Sequence, residues 1–167
     1  MTTLKTPLAI LQKYLDCNIA TGVIRYLLPF NGIETGQVAG IKDSRGYLRV
    51  HVPQLQITYA AHRLIWLFAY GSWPYALIDH RNGVTWDNCI ENLRDVSTTV
   101  NAQNMRKAMS NNKTGYLGVS YCKRNGKYDS RISIKGTIKF LGYFLTPELA
   151  HEAYLAAKRE HHEGCTI

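Results

Sequence analysis

The sequence predicts an α+β protein built from small antiparallel sheets and short helices, and three stretches support this prediction. Short β-strand patterns dominate the N-terminal region 1–60. A strand, loop, strand and helix pattern follows over 76–106, and the chain from 116 to 162 has the pattern of three strands and a helix. We therefore expect a small N-terminal antiparallel sheet, a ββα finger and a C-terminal three-stranded sheet with one helix.

Local patterns predict the elements of the first two stretches. Two β-rich runs surround a turn over 14–26, and the alternation over 47–60 is typical of a hairpin. The run AAHRLIWLFAYG predicts a packing helix that ends at Gly71. A further helix is expected over 97–108, and the polar residues after it place a boundary near residue 110.

Turn and cap residues define the C-terminal elements. Asn125-Gly126 is a strong hairpin signal, and Gly136 supplies a second turn. Thr146 is placed to cap a helix that begins with Pro147, where proline is favoured. We expect strands over 116–121, 128–135 and 138–144 and a helix over 147–162.

Composition narrows the classes of protein. The sequence contains no run of about 18 apolar residues, the length needed to cross a bilayer, so we expect a soluble protein without a membrane partner. The apolar stretch of the segment 1–17 is broken by Gln12 and Lys13, so export is not expected and the cytoplasm is the predicted location. The cysteines form no C-x-x-C pair, which argues against a zinc knuckle and a dense disulfide framework.

Positive charge is concentrated in the C-terminal part. The chain has a formal net charge of +8. Between 113 and 139 the only acidic residue is Asp129, whereas the basic residues there are Lys113, Lys123, Arg124, Lys127, Arg131, Lys135 and Lys139. Such an excess suits a phosphate backbone, and a basic face that only maintains solubility is the alternative.

The segment 78–104 carries the residues suited to phosphodiester hydrolysis. Histidine is the side chain best suited to accept a proton near neutral pH, and His80 can do so from water if its other ring nitrogen is held, for which Asn92 is a candidate. Asp79 offers a carboxylate and Asn101 an amide oxygen, a sparse pair of oxygen ligands that suits magnesium. The sequence therefore predicts that these four side chains converge on one site.

In this segment the chain resembles the HNH endonucleases, in the variant of phage and intron-associated enzymes where asparagine replaces the final histidine. The resemblance rests on AHRLIWLFAYGSWP at 61–74, IDHRNG at 78–83, DNCIENLR at 87–94 and the spaced Asn101 and Asn104. It implies a nuclease core over 61–109 whose ββα-metal finger is held by packing, since flanking C-x-x-C pairs are absent.

The resemblance also implies the role of each residue. Asp79 and Asn101 would bind one Mg²⁺ or Mn²⁺ per active site, and His80 would be the general base. Asn92 would orient His80 and tie the loop. His62 and Arg63 are expected to pack, with a phosphate contact from Arg63 as the alternative, and the same two possibilities are open for Arg81 and Arg94.

The region 110–167 resembles the DNA-binding domain of plant ethylene-response factors, through Gly118-Val119, Arg131-Ile132 and the run Leu141–Phe144. In that family a three-stranded sheet lies in the major groove. The resemblance implies phosphate contacts by Lys123, Arg124, Lys127 and Lys139, and base contact by Arg131. Ser133 is expected to be a further DNA-binding residue.

Alternation along the second strand of this region predicts which side chains face outward. Those expected to face the helix are Tyr128, Ser130, Ile132 and Ile134; those expected to face outward are Lys127, Asp129, Arg131, Ser133 and Lys135. A β-bulge in the third strand would let both Lys139 and Phe140 point outward. Ser120 and Cys122 stand where the plant domains carry arginines.

These features together predict a metal-dependent, homing-type DNA endonuclease with a separate DNA-binding module. One finger and the lack of an evident self-association surface favour a monomer that nicks one strand of double-stranded DNA. For a phage-encoded member the location would be the bacterial host cytoplasm. One alternative is a non-catalytic DNA-binding transcriptional regulator. An RNA-binding protein is less favoured, because the sequence lacks the aromatic stacking signature of common RNA modules.

Overall fold

A computed structural model describes residues 5–167 and confirms the α+β class. The first four residues of the predicted region 1–60, and of the segment 1–17 considered for export, lie outside the described residues. The chain divides into two compact units, Met1–Ser97 and Thr98–Ile167. The nuclease core predicted over 61–109 and the DNA-binding module predicted over 110–167 are functional parts of the chain, and they stay predictions. Among the described residues, no helix is both long and apolar enough to cross a membrane.

The first unit contains three small antiparallel sheets, with strand orders β1-β2, β3-β4-β5 and β6-β7. Its elements in chain order are α1 Leu8–Leu11, β1 Leu15–Asn18, β2 Val23–Tyr26, β3 Ile41–Lys42, β4 Leu48–Val52, β5 Ile57–Ala60, α2 Ala61–Tyr70, β6 Leu77–His80 and β7 Leu93–Val96. The hairpins predicted over 14–26 and 47–60 are confirmed as β1-β2 and β4-β5.

Helix α2 organises the core of the first unit. Its Ala61, Leu64, Ile65 and Leu67 are buried at helical spacing, and it ends as predicted at Gly71, whose φ is 72°. These side chains pack in one cluster with buried residues of the sheets, and the cluster includes Leu93 of β7. The finger strands are therefore anchored by apolar packing.

The second unit contains a three-stranded antiparallel sheet of order β10-β9-β8 and two helices. Its elements are α3 Thr98–Gln103, β8 Val119–Cys122, β9 Lys127–Ile134, β10 Thr137–Phe144 and α4 Pro147–His161. The Asn125-Gly126 hairpin joins β8 to β9. Thr146 caps α4, since its Oγ1 accepts a hydrogen bond from the Leu149 amide at 3.3 Å.

Helix α3 is shorter than predicted, and the prediction of a helix to 108 is wrong beyond Gln103. The chain turns at Asn104, whose amide donates to the Asn101 carbonyl at 3.1 Å. The Asn104 side chain is buried and accepts a hydrogen bond from the Thr166 hydroxyl at 2.5 Å. A partner 62 residues away in the chain thus stabilises the helix end.

Burial along β9 follows the predicted alternation with one exception. Ser130 and Ile132 are buried, whereas Arg131 and Ser133 are exposed. Asp129 was expected to face solvent and is only 5% exposed; an ion pair with Arg131 at 2.7 Å compensates its charge and makes this burial tolerable. The register of β10 shifts between Phe140 and Gly142, so the bulge considered for this strand is present.

Candidate active site

Strands β6 and β7 position the first two candidate residues. Asp79 pairs with Arg94 and His80 with Leu93 at the end of this two-stranded sheet. The chain then turns at once, since the Gly83 amide donates to the His80 carbonyl at 2.9 Å and Gly83 has a φ of 73°. Both side chains are buried, so the strand end holds them in fixed positions.

Hydrogen bonds from Asn92 hold the loop 81–92 that follows. The Asn92 Nδ2 donates to the Asp87 carbonyl at 2.7 Å, and its Oδ1 accepts from the Asn82 amide at 2.9 Å. The Asn82 Nδ2 donates to the Asp87 carboxylate at 2.6 Å. Hydrogen bonds from Cys89 and from Asn82 hold the pKa of Asp87 below its usual value. The loop is thus a closed network of polar side chains and backbone groups.

The hairpin turn between β1 and β2 packs against this loop. The Ile90 amide donates to the Ile19 carbonyl at 2.9 Å. Gly22 has a φ of 71°, and a Cβ at this position would overlap the backbone of Asn88 and Cys89. Only glycine allows the hairpin to approach the loop this closely.

Asn88 is the partner found at the His80 ring. Its Oδ1 lies 3.0 Å from His80 Nε2, and Asn88 is only 1% exposed. If Nε2 carries the hydrogen, it donates to Oδ1 and Nδ1 becomes the basic atom of the ring. The sequence placed Asn88 in the motif DNCIENLR at 87–94 but gave no sign of its contact with His80. A role for Asn92 in orienting His80 stays a prediction.

Two aromatic rings border His80. The ring centroids of His62 and His80 lie 5.4 Å apart, with the planes at 85°, and Tyr47 lies 5.9 Å from His80. Burial, with a further contribution from His80 and Arg63, lowers the pKa of His62 to about 3. His62 is therefore an uncharged packing partner, as its expected packing role requires.

An ion pair fixes the Asp79 carboxylate. Asp79 Oδ2 lies 2.8 Å from Arg94 Nε and 2.7 Å from Arg94 Nη2, and both side chains are largely buried. Arg94 thus pairs with Asp79, a contact that neither expectation for Arg94 included. Arg63 packs near Trp73, with its guanidinium 5.8 Å from the ring, and also donates to the Ala76 carbonyl at 3.5 Å.

The remaining candidate ligand, Asn101, lies on α3 in the second unit. The described residues contain no group of three or more His, Cys, Asp or Glu side chains that could hold a metal ion. Asp79 offers a carboxylate and Asn101 an amide oxygen, and oxygen atoms of these kinds are the ligands that hard cations such as Mg²⁺ prefer.

Comparison with known proteins identifies this segment. Residues 59–103 match the family model of the HNH endonuclease. The chain contains an HNH endonuclease domain. The matched range includes every candidate named above for catalysis or metal binding, namely Asp79, His80, Asn88, Asn92 and Asn101. The protein is therefore an enzyme of the class that hydrolyses phosphodiester bonds.

Similarity over the whole chain is found to a solved structure but not to a curated protein. A solved structure described as "DNA binding and cleavage by the HNH homing endonuclease I-HmuI" is similar at 24% identity, over 90% of this chain and 88% of that chain, with a TM-score of 0.45. None of the curated proteins compared with the chain matches it.

Beyond the HNH domain, the second unit exposes the residues predicted to contact DNA. These are Lys123, Arg124, Lys127, Arg131, Ser133 and Lys139. The Arg131 side chain is 58% exposed although it pairs with Asp129. The family match ends at residue 103, so the resemblance of the C-terminal region to ethylene-response factors stays a prediction.

Proposed function

We propose that this protein is a metal-dependent DNA endonuclease in which His80 is the general base. One observation carries the proposal: a buried histidine, hydrogen-bonded to a buried asparagine and adjacent to a buried aspartate, lies within the segment that matches HNH endonucleases. Hydrolysis of a phosphodiester needs a group that takes a proton from water, and His80 has the chemistry for this step.

The neighbours of His80 have separate tasks in this mechanism. Asn88 holds Nε2 at 3.0 Å, which orients the ring and leaves proton transfer to Nδ1. Tyr47 and His62 pack around the ring and keep water from reaching it from their side. Asn92 keeps the loop closed. Each task is one of position, so the protein supplies a fixed base.

Asp79 and Asn101 are the residues proposed to hold a divalent cation, Mg²⁺ or Mn²⁺, with one ion per active site. When bound, such an ion supplies charge stabilisation for the phosphate and for the departing oxygen. Arg94 orients the Asp79 carboxylate through Oδ2. HNH nucleases use divalent metal ions in general, which agrees with this proposal.

The proposed substrate is double-stranded DNA, and the exposed cations of the second unit support this choice. Because the chain carries one HNH domain, we propose that a monomer cuts one strand at a preferred site. The proposed setting is the cytoplasm, which for a phage-encoded enzyme is that of the bacterial host. A protein that binds DNA but never cuts it would instead be a regulator.

The test is incubation of supercoiled plasmid with the protein in Mg²⁺, in Mn²⁺ and in a chelator. We expect the supercoiled form to convert to open circles with either metal and to persist in the chelator. Asp79→Ala and Asn101→Ala should each raise the metal concentration needed for half-maximal cleavage, whereas Asp16→Ala, at an exposed position of β1, should not. Binding without cleavage under every metal condition would refute the proposal.

A further inference from the structure

The hairpin formed by β3 and β4 lies against the loop of the HNH domain. At its turn, a Cβ added to Gly46 would lie 3.0 Å from Thr85 Oγ1. The Lys42 ammonium lies 4.0 Å from the centre of the Trp86 ring. The same hairpin carries Tyr47, which borders His80. The β3-β4 hairpin therefore contacts His80 through Tyr47 and contacts Trp86, six positions after His80 in the chain, through Lys42.

The positive charges of this hairpin are directed outward. Lys42 and Arg45 are exposed. The acidic residue between them, Asp43, accepts hydrogen bonds from the Arg49 Nε and from the Arg45 amide, each at 3.0 Å. Asp43 is thus committed to Arg49 and to the turn, so the tip of the hairpin presents a positive surface.

Trp86 stands out among the side chains of the loop. It is 53% exposed, although a large apolar ring usually gains from burial. The hydrogen bonds of Asn82, Asp87 and Asn92 hold the loop on either side of it. A rigid loop therefore presents an indole ring, and a lysine lies over that ring.

We propose that Trp86, Lys42 and Arg45 form a DNA contact beside His80. The indole inserts beside the scissile phosphate at a base step that unstacks when the duplex binds, so that it packs on the sugar and on the freed face of the base, and the two cations contact neighbouring phosphates. This inference rests on the proposed nuclease function. Stacking on an aromatic ring tolerates any base, so the surface would position the cut without reading sequence.

The chemistry of the surface favours a nucleic acid over a protein partner. Two exposed cations with an aromatic ring match the alternation of phosphates and flat bases along a strand. Trp86 follows His80 by six positions in the chain, and the hairpin that carries Lys42 and Arg45 also carries Tyr47 beside His80, so we expect a strand bound at His80 to continue over this surface. These features match a nucleic acid strand better than a protein surface.

The experiment uses the full-length protein and a duplex that contains the cleavage site mapped with the wild-type enzyme. Binding is followed by fluorescence anisotropy in chelator, and cleavage is followed in Mg²⁺. The variants are Trp86→Ala, Trp86→Phe and the double variant Lys42→Ala with Arg45→Ala. Tyr75→Ala is the matched control, because Tyr75 is an aromatic residue of the same unit that is 99% exposed.

We expect Trp86→Ala to weaken binding by roughly 5- to 150-fold, the range for loss of one stacked base. Trp86→Phe should retain most of the affinity, and the double variant should reduce the slope of log Kd against log salt by about 2. A 2-aminopurine placed next to the cut should be quenched by wild type and less by Trp86→Ala.

Two outcomes would overturn the inference. The first is wild-type binding and cleavage by Trp86→Ala. The second is an equal loss in Tyr75→Ala. Thermal melting of each variant shows whether a loss of binding is caused by unfolding. If Trp86→Ala is unfolded, Trp86→Phe provides the test, and failure of Trp86→Phe to quench 2-aminopurine would contradict the contact. If wild type itself neither binds nor cuts DNA, the proposed function fails, and the inference fails with it.

Discussion

The buried polar residues of the first unit and the exposed cations of the second unit illustrate two uses of polar side chains. The first unit buries them at the HNH domain, where Asp79, His80, Asn88 and Asn92 are each at most 7% exposed. The second unit exposes its cations along β9 and the turn before it. Buried groups act through their positions, because each requires its partner at hydrogen-bond distance, whereas exposed cations act through their number. A single substitution should therefore have a large effect in the first unit and a graded one in the second.

The largest effect is expected at His80. His80→Ala removes the proposed base and should lower the cleavage rate by about two to four orders of magnitude. Binding should persist, because the cations of the second unit are untouched. Single-turnover cleavage and anisotropy measure the two properties. His51→Ala, an exposed histidine of β4, is the control, and unchanged cleavage by His80→Ala would remove the assignment.

The second expected effect concerns binding alone. Replacing Lys123, Arg124, Lys127 and Lys139 with alanine should reduce the slope of log Kd against log salt by about 3 to 4, because each cation that pairs with a phosphate adds close to one unit to the slope. Each single variant should cause about a quarter of the change. Lys5→Ala with Lys13→Ala, both exposed in the first unit, is the control. Equal slopes for wild type and the fourfold variant would exclude these residues from the interface.

Asn88 tests whether position matters as much as the base itself. Asn88→Ala leaves His80 without its partner at Nε2 and should lower cleavage by about 10- to 100-fold, as for other orienting partners. The ¹⁵N shifts of the His80 ring should show that the Nε2-H tautomer loses population. Asn92→Ala should mainly lower the melting temperature, because both ends of that amide hold the loop. A wild-type tautomer and rate in Asn88→Ala would contradict the role.

The last expected effect is a pH dependence of stability in the first unit, which leaves cleavage at neutral pH unchanged. Burial lowers the pKa of His62 from 6.5 to about 3, so in this window the unfolded chain binds a proton that the folded protein does not. The free energy of unfolding should then fall as the pH falls through the window, by at most about 1.4 kcal/mol per pH unit, and level off below it.

Charged and titratable groups near His62 also shift its pKa, some in the same direction as burial and one in the opposite direction. His80, Arg63 and Arg49 lower its pKa, and Asp43 raises it. Urea unfolding at several pH values measures the slope, and His62→Gln should flatten the slope in the upper part of the window. A slope that is identical in His62→Gln would show that other groups cause it.

Local sequence signals determined most of the secondary structure. Hairpins, helix ends and caps depend on residues next to one another in the chain, as at Gly71, at Asn125-Gly126 and at Thr146-Pro147. The burial pattern of α2 and the alternation of β9 also follow from spacing alone. The joint pattern of Asp79, His80, Asn92 and Asn101 behind the lead-in 61–74 predicted the nuclease class.

Tertiary structure decided which of several similar residues meets which partner. Asn88 and Asn92 have the same side chain, and only the path of the loop places Asn88 at His80. Alternation predicted that Asp129 faces solvent, whereas the folded chain buries it and pairs it with Arg131. A hydrogen bond or ion pair is selected by distance between residues that the fold brings together, so residue type and spacing could not reveal the Asp79 pair with Arg94 or the end of α3 at Asn104.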